Sequence, residues 1–160
     1  MSDNQPQTLD QAGIARRIPH SGSMCLLERL ESWDDKTILC TTGTHVRPDN
    51  PMRTASGLLS PCLIEYAAQA MALHGGLLAA EGSEPSAGFL ASVRSVRLSV
   101  ARVDDIAAPL QVHAVRSAGD SSQILYEFAV RDPEGRPLAE GRAVVVLNTP
   151  LTTTMEATKQ

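Results

Sequence analysis

The chain has 160 residues, 42% apolar and 20% charged, which suits one ordinary globular domain and excludes two large ones. With one Trp, two Tyr, two Phe and a net charge of -4, it lacks both the stacking platforms and the basic stripe of a nucleic-acid binder. Cys25, Cys40 and Cys62 stand singly, with neither a CxxC pair nor a His at ligand spacing, so they read as reduced thiols; no metal, disulfide framework or cofactor is signalled.

Residues 1–11 are polar and read as a flexible tail, without the basic start and apolar run of a secretory signal, which points to a cytoplasmic location. Alternation of Met24, Leu26 and Leu30 predicts a strand over residues 24–32. Trp33-Asp34-Asp35-Lys36 then reads as a turn into a second strand over residues 37–46. After a loop at residues 48–57, Ser60 is placed as an N-cap and Pro61 as the first residue of a helix running to about Ala80, with Gly82 just past its end. Glu65 is its only formally charged residue, and apolar side chains occupy nearly every face, so the helix should be buried all round. Glu65, Gln69, His74 and Gly75-Gly76 interrupt the apolar run too often for a membrane span.

Beyond residue 87, three apolar alternations predict strands: Val96/Leu98/Val100, Leu110/Val112/Ala114 and Ile124/Tyr126/Phe128/Val130. Asp132-Pro133-Glu134-Gly135 is a tight turn into a last strand over residues 138–147, so this half reads as an antiparallel meander. Residues 149–160 are a second tail, leaving 12–148 as a single domain. Two strands, one buried helix and four more strands pack most economically as an α+β hot-dog fold, a curled antiparallel sheet around one long central helix.

A carboxyl in the second turn of a buried helix needs an explanation. Burial favours the neutral acid and the helix N-terminus the anion, so Glu65 is placed to exchange a proton, or else to bind backbone amides or an arginine. Gln69, four residues on, lies on the same face and could orient it or simply satisfy a polar contact. Among the histidines, His113 should face solvent and His74 should fill the core or an interface. His20, in a loop, and His45, at the predicted end of a strand, could both reach the helix N-terminus.

Ile18-Pro19-His20-Ser21-Gly22-Ser23-Met24-Cys25-Leu26-Leu27-Glu28-Arg29-Leu30 resembles the LPHR.P.LLVDR opening of β-hydroxyacyl-acyl carrier protein dehydratases, and Ile64-Glu65-Tyr66-Ala67-Ala68-Gln69-Ala70 resembles their E-A-x-A-Q helix motif. The resemblance spans residues 14–148 and is nearest to the small dehydratase-like proteins of aryl polyene and xanthomonadin pigment clusters. It independently implies a hot-dog fold. The family's catalytic histidine, in a G-H-F-P segment fourteen residues before the helix Glu, falls here on Pro51 in a shortened loop. The resemblance therefore carries over Glu65, and His20 only as the opening-motif histidine near the active site.

The leading expectation is dehydration of a 3-hydroxyacyl thioester of acyl carrier protein or coenzyme A to the 2-enoyl thioester, in fatty-acid-like or polyene biosynthesis. His20 is the base, or shares proton transfer with Glu65, which protonates the leaving hydroxyl. The Cys62 backbone N–H, in the first turn after Ser60 and Pro61, is the expected donor to the thioester oxygen, with Ser60 and Gln69 beside the substrate. The alternatives are a non-catalytic partner or acyl-chain-binding subunit, which the missing histidine favours, and an acyl thioesterase. A homodimer, or a heterodimer with another dehydratase-like chain, is expected because a single curled sheet leaves unpaired edges; relatives of this fold place acid and base on different chains of such pairs. Arg94, Arg97 and Arg102 could meet an acidic carrier protein, although arginines so placed are usually solvated.

Overall fold

A computed structural model describes residues 5–79 and 88–147. Its elements are β1 (Leu9–Asp10), α1 (Gln11–Ala15), β2 (Arg29–Trp33), β3 (Thr37–Thr42), α2 (Leu63–Leu78), β4 (Gly88–Leu98), β5 (Leu110–Gly119), β6 (Gln123–Arg131) and β7 (Pro137–Leu147). All pairings are antiparallel, in one seven-stranded sheet ordered β1-β2-β3-β5-β6-β7-β4. The sheet curls around α2, which packs on β3, β5 and β6: this is the hot-dog arrangement.

Aspartates make the tight turns. Asp34 Oδ1 accepts the Lys36 and Thr37 N–H groups at 2.8 and 2.7 Å, closing the β2–β3 hairpin. Asp132 Oδ1 accepts those of Glu134 and Arg136, both at 2.9 Å, and Gly135 supplies the positive φ of 87° that the β6–β7 turn requires. Asp120 plays the same part between β5 and β6.

The alternating faces are found where the sequence places them on β5 and β6. Leu110, Val112, Ala114, Ile124, Tyr126, Phe128 and Val130 are all buried and meet Leu63, Tyr66, Ala67, Ala70, Leu73 and Leu77 of the helix. Each such leucine contributes about 1.5–3 kcal/mol through apolar burial.

Several expectations are corrected. Residues 9–11 belong to the domain rather than to a tail: Leu9 pairs with Leu30, and Trp33 Nε1 donates to the Pro6 carbonyl. The first strand begins at Arg29, because residues 24–26 spend their backbone groups on a 3-10 turn and on side chains, among them Gln69 of the helix, instead of on a neighbouring strand. The second strand stops at Thr42 and gives way to a 3-10 turn, Thr44–Val46, that buries His45. The C-terminal half is not a sequential meander. β5, β6 and β7 follow one another, but β4 pairs with β7 at the far edge while β5 pairs with β3. Alternation specifies which face a strand buries, not which neighbour it takes.

Leu98, expected inward, is 39% exposed: β4 is an edge strand interrupted by irregularities between Leu90 and Ser92 and between Arg94 and Arg97, with Ser95 at a φ of 54°. The helix, expected to run to about Ala80, ends at Leu78 with Ala79 already extended; its expected Gly82 stop and the tail at 149–160 lie outside the described residues. Among the described residues, no helix is long and apolar enough to cross a membrane.

Candidate active site

The helix is preceded by a 3-10 turn, Ser60–Cys62, with Pro61 at its start. The turn spends its own donors: the Cys62 N–H goes to the Leu59 carbonyl and the Ser60 N–H to that of Ala101, each at 3.0 Å. Ser60, expected as the N-cap, is instead the buried first residue of the turn, and the cap positions before the turn and before α2 fall to Leu59 and Cys62. Neither Ser60 nor Cys62 lines the cavity beside Glu65. The expectation that Cys62 offers a free amide to a thioester oxygen is therefore corrected, because 3-10 bonding satisfies the first-turn N–H groups that an abrupt α-helical start would leave unpaired.

The helix is not buried all round. Glu65, Ala68, Ala72 and Gly75, spaced i, i+3, i+7 and i+10, form a half-buried stripe, while Tyr66, Ala67, Gln69, Ala70, Leu73, His74 and Leu77 are fully enclosed. The stripe borders a cavity of about 350 Å³ whose other walls include Ile124, Tyr126, Val145 and Leu147 of the sheet and Phe89 and Leu90 of β4.

His20 and Glu65 both line this cavity, and His20 Nε2 lies 2.9 Å from Glu65 Oε1. The side chains are 26% and 33% exposed, so the pair sits in the cavity wall rather than in the sealed core. Both residues come from one chain, unlike the acid and base shared between chains that the resemblance implies.

Gln69 accounts for this. It is wholly buried; its Oε1 accepts the Leu26 N–H at 2.9 Å, and its Nε2 donates to the Met24 carbonyl at 2.7 Å and to Glu65 Oε1 at 3.3 Å. One amide thus fastens the segment following His20 to the helix and steadies the carboxyl. From the other side, Thr44 Oγ1 donates to the Leu26 carbonyl at 2.7 Å. Tyr66 Oη, which accepts from Asn50 Nδ2 at 3.0 Å, lies 2.9 Å from the same hydroxyl. Sequence reasoning missed Thr44, Asn50 and Tyr66, because the network joins segments far apart in the chain.

The remaining histidines stand apart. His45 Nε2 donates to the Ile106 carbonyl at 2.8 Å, and Nδ1 has no partner among the described residues; burial holds its pKa below the usual value. It does not line the cavity, so it cannot replace His20 there. His74 Nε2 donates to the Asp34 carbonyl at 2.8 Å, which leaves Nδ1 to accept the Tyr126 hydroxyl at 2.7 Å. Burial lowers the pKa of His74 and raises that of Tyr126 to about 12, keeping both neutral beside the cavity. His113, expected to face solvent, is half-buried on β5, which lowers its pKa as well. Arg102 is held by Asp104, Nε to Oδ1 at 3.0 Å and Nη2 to Oδ2 at 2.6 Å, whereas Arg94 and Arg97 are exposed on β4.

The family model of the ApeP-like proteins, described as ApeP dehydratase, matches residues 12–156. A search of curated proteins returns no match. Among solved structures, a chain of the dehydratase heterocomplex ApeI:P from Xenorhabdus doucetiae is similar at 24% identity and a TM-score of 0.76, covering 86% of this chain and 91% of that one. A thioesterase from Haemophilus influenzae is similar at 13% identity and a TM-score of 0.63, covering 94% and 98%. A mutant thioesterase from Pseudomonas aeruginosa stands at 13% and 0.64, covering 89% and 96%. At these identities the solved structures establish the shared fold.

Proposed function

The chain belongs to the ApeP-like dehydratase family, and we propose that it removes water from a 3-hydroxyacyl thioester, carried on acyl carrier protein or coenzyme A, to give the 2-enoyl thioester. The single observation that carries this reading is the 2.9 Å His20–Glu65 pair at the wall of an apolar cavity.

The reading requires the acid proton on Glu65 and an unprotonated Nε2 on His20 when the substrate is bound. His20 Nε2 takes the proton from C2, and that C–H electron pair becomes the C2–C3 double bond. The C3–O bond breaks, and the hydroxyl leaves as water with the Glu65 proton. Imidazolium and carboxylate remain in contact, and a proton passing back along the hydrogen bond restores the starting state. No external acid or base is consumed. The acyl chain beyond C3 lies along the Ala68–Ala72–Gly75 stripe.

The partner we propose is a second dehydratase-like chain, identical or not, seated on the open β4 edge. The heterocomplex among the similar structures supports such pairing in that protein. A cytoplasmic location accords with a carrier-bound substrate.

The test incubates the protein with 3-hydroxyacyl and 2-enoyl thioesters, alone and with candidate partner chains, and follows enoyl absorbance. Interconversion in both directions is expected. No interconversion with any carrier or partner overturns the proposal, and release of free thiol instead identifies a thioesterase.

A further inference from the structure

We propose that Gly75 fixes how long an acyl chain the cavity admits, an inference that rests on the acyl-thioester reading above. Glycine inside a helix is destabilising relative to alanine, so its presence asks for a reason. The usual reason is close packing, and it holds elsewhere in this protein. A Cβ on Gly76 would come within 3.3 Å of the Arg17 carbonyl oxygen, and one on Gly141 within 2.8 Å of the Phe128 ring. At Gly75 no heavy atom among the described residues, its own stretch of helix backbone aside, lies within 4 Å of that position. Nor does the backbone need a glycine there, because Gly75 lies inside a regular α-helix and is not among the positive-φ residues. What it leaves is room.

That room opens on the cavity. Gly75 lines it together with Ala72 and Ala68, in the row that begins at Glu65. Ten residues at a rise of about 1.5 Å place Gly75 about 15 Å along the helix from the backbone of Glu65. A chain whose C3 sits at Glu65 and whose tail follows the row meets Gly75 far from the reacting atoms. Side-chain volume there limits chain length without touching the chemistry. Met71 and Tyr126, whose hydroxyl is already bonded to His74 Nδ1 behind it, keep the surrounding wall apolar.

The experiment compares wild type, Gly75→Ala and Gly75→Leu. It measures kcat/KM for 3-hydroxyacyl thioesters of four to sixteen carbons, calorimetric binding of the matching unreactive amides, melting temperature and light scattering. In Gly75→Leu the sixteen- to four-carbon ratio of kcat/KM falls about tenfold or more, as does the same ratio of affinities. Gly75→Ala falls between and melts higher than wild type. Equal losses at every length, no loss at any, or a changed oligomeric state with an unchanged length profile overturns the proposal. If wild type turns over no thioester, the dehydratase reading fails by itself. The binding arm still decides the role of Gly75: a length-dependent loss supports it and a length-independent affinity overturns it.

Discussion

Gln69 Oε1 accepts the backbone N–H of Leu26 at 2.9 Å across the interior, and through this bond the loop carrying His20 is registered against the helix carrying Glu65. Replacing Gln69 by Leu strands that N–H and the Met24 carbonyl in the core, so stability falls by about 2–4 kcal/mol in urea unfolding. Gln69→Glu keeps the accepting oxygen but sets a second carboxyl beside the first, so the pH–rate profile shifts as well as the maximal rate. An unchanged profile would show that the amide only packs.

Glu65→Gln preserves shape and removes the exchangeable proton. Because the carboxyl stands at a cavity wall and is one-third exposed, turnover drops by about a hundredfold or more while the melting temperature barely moves. His20→Ala behaves likewise in the same assay. Full activity or undiminished pathway flux in Glu65→Gln, with loss confined to interface variants, would assign the chain a non-catalytic part.

Burial, the largest influence on each, holds the His45 and His74 imidazoles below the usual value of 6.5, outweighing the carbonyls of Ile106 and Asp34 that favour the cation. The native state keeps them neutral, while the unfolded chain protonates them below about pH 6.5. The unfolded state then binds more protons, so the stability contributed by neutral burial is complete above that pH and is lost as pH falls below it. Thermal melts from pH 8 to 5 should be flat at first and then decline, and His45→Gln should decline less steeply. Melts independent of pH across this range would contradict the assignment.

Phe89, Leu90 and Leu98 of β4 are 55%, 39% and 39% exposed on a strand with one unpaired edge. Light scattering at micromolar concentration is expected to give a dimer or larger even oligomer, of this chain or with a dehydratase-like partner, and Leu98→Lys should shift it toward monomer. A fully active monomer would refute the arrangement.

The sequence made the helix legible because a long apolar run with a single charged residue has few other uses, and the turns because Asp and Gly have local mechanisms. It marked Glu65 and Gln69 by their polarity in that run. It could not place β4, since a two-residue period carries no information about pairing partners. Nor could it foresee that a 3-10 turn would occupy the Cys62 amide, because hydrogen bonds at a helix start depend on backbone angles that Ser-Pro-Cys allows in more than one way. The alliance of His74 with Tyr126 joins α2 to β6 and leaves no local trace.

Because His20 and Glu65 meet within one chain, the proton relay proposed above would be complete in each protomer. In an assembly mixing intact and inactivated copies, output follows the number of intact chains in simple proportion. Two differently disabled copies, one lacking the imidazole and one the carboxyl, cannot rescue each other by pairing. On that reading genetic complementation between such alleles is closed, and where two unlike chains assemble, loss of either histidine or carboxyl here is a defect that the partner has no means to repair.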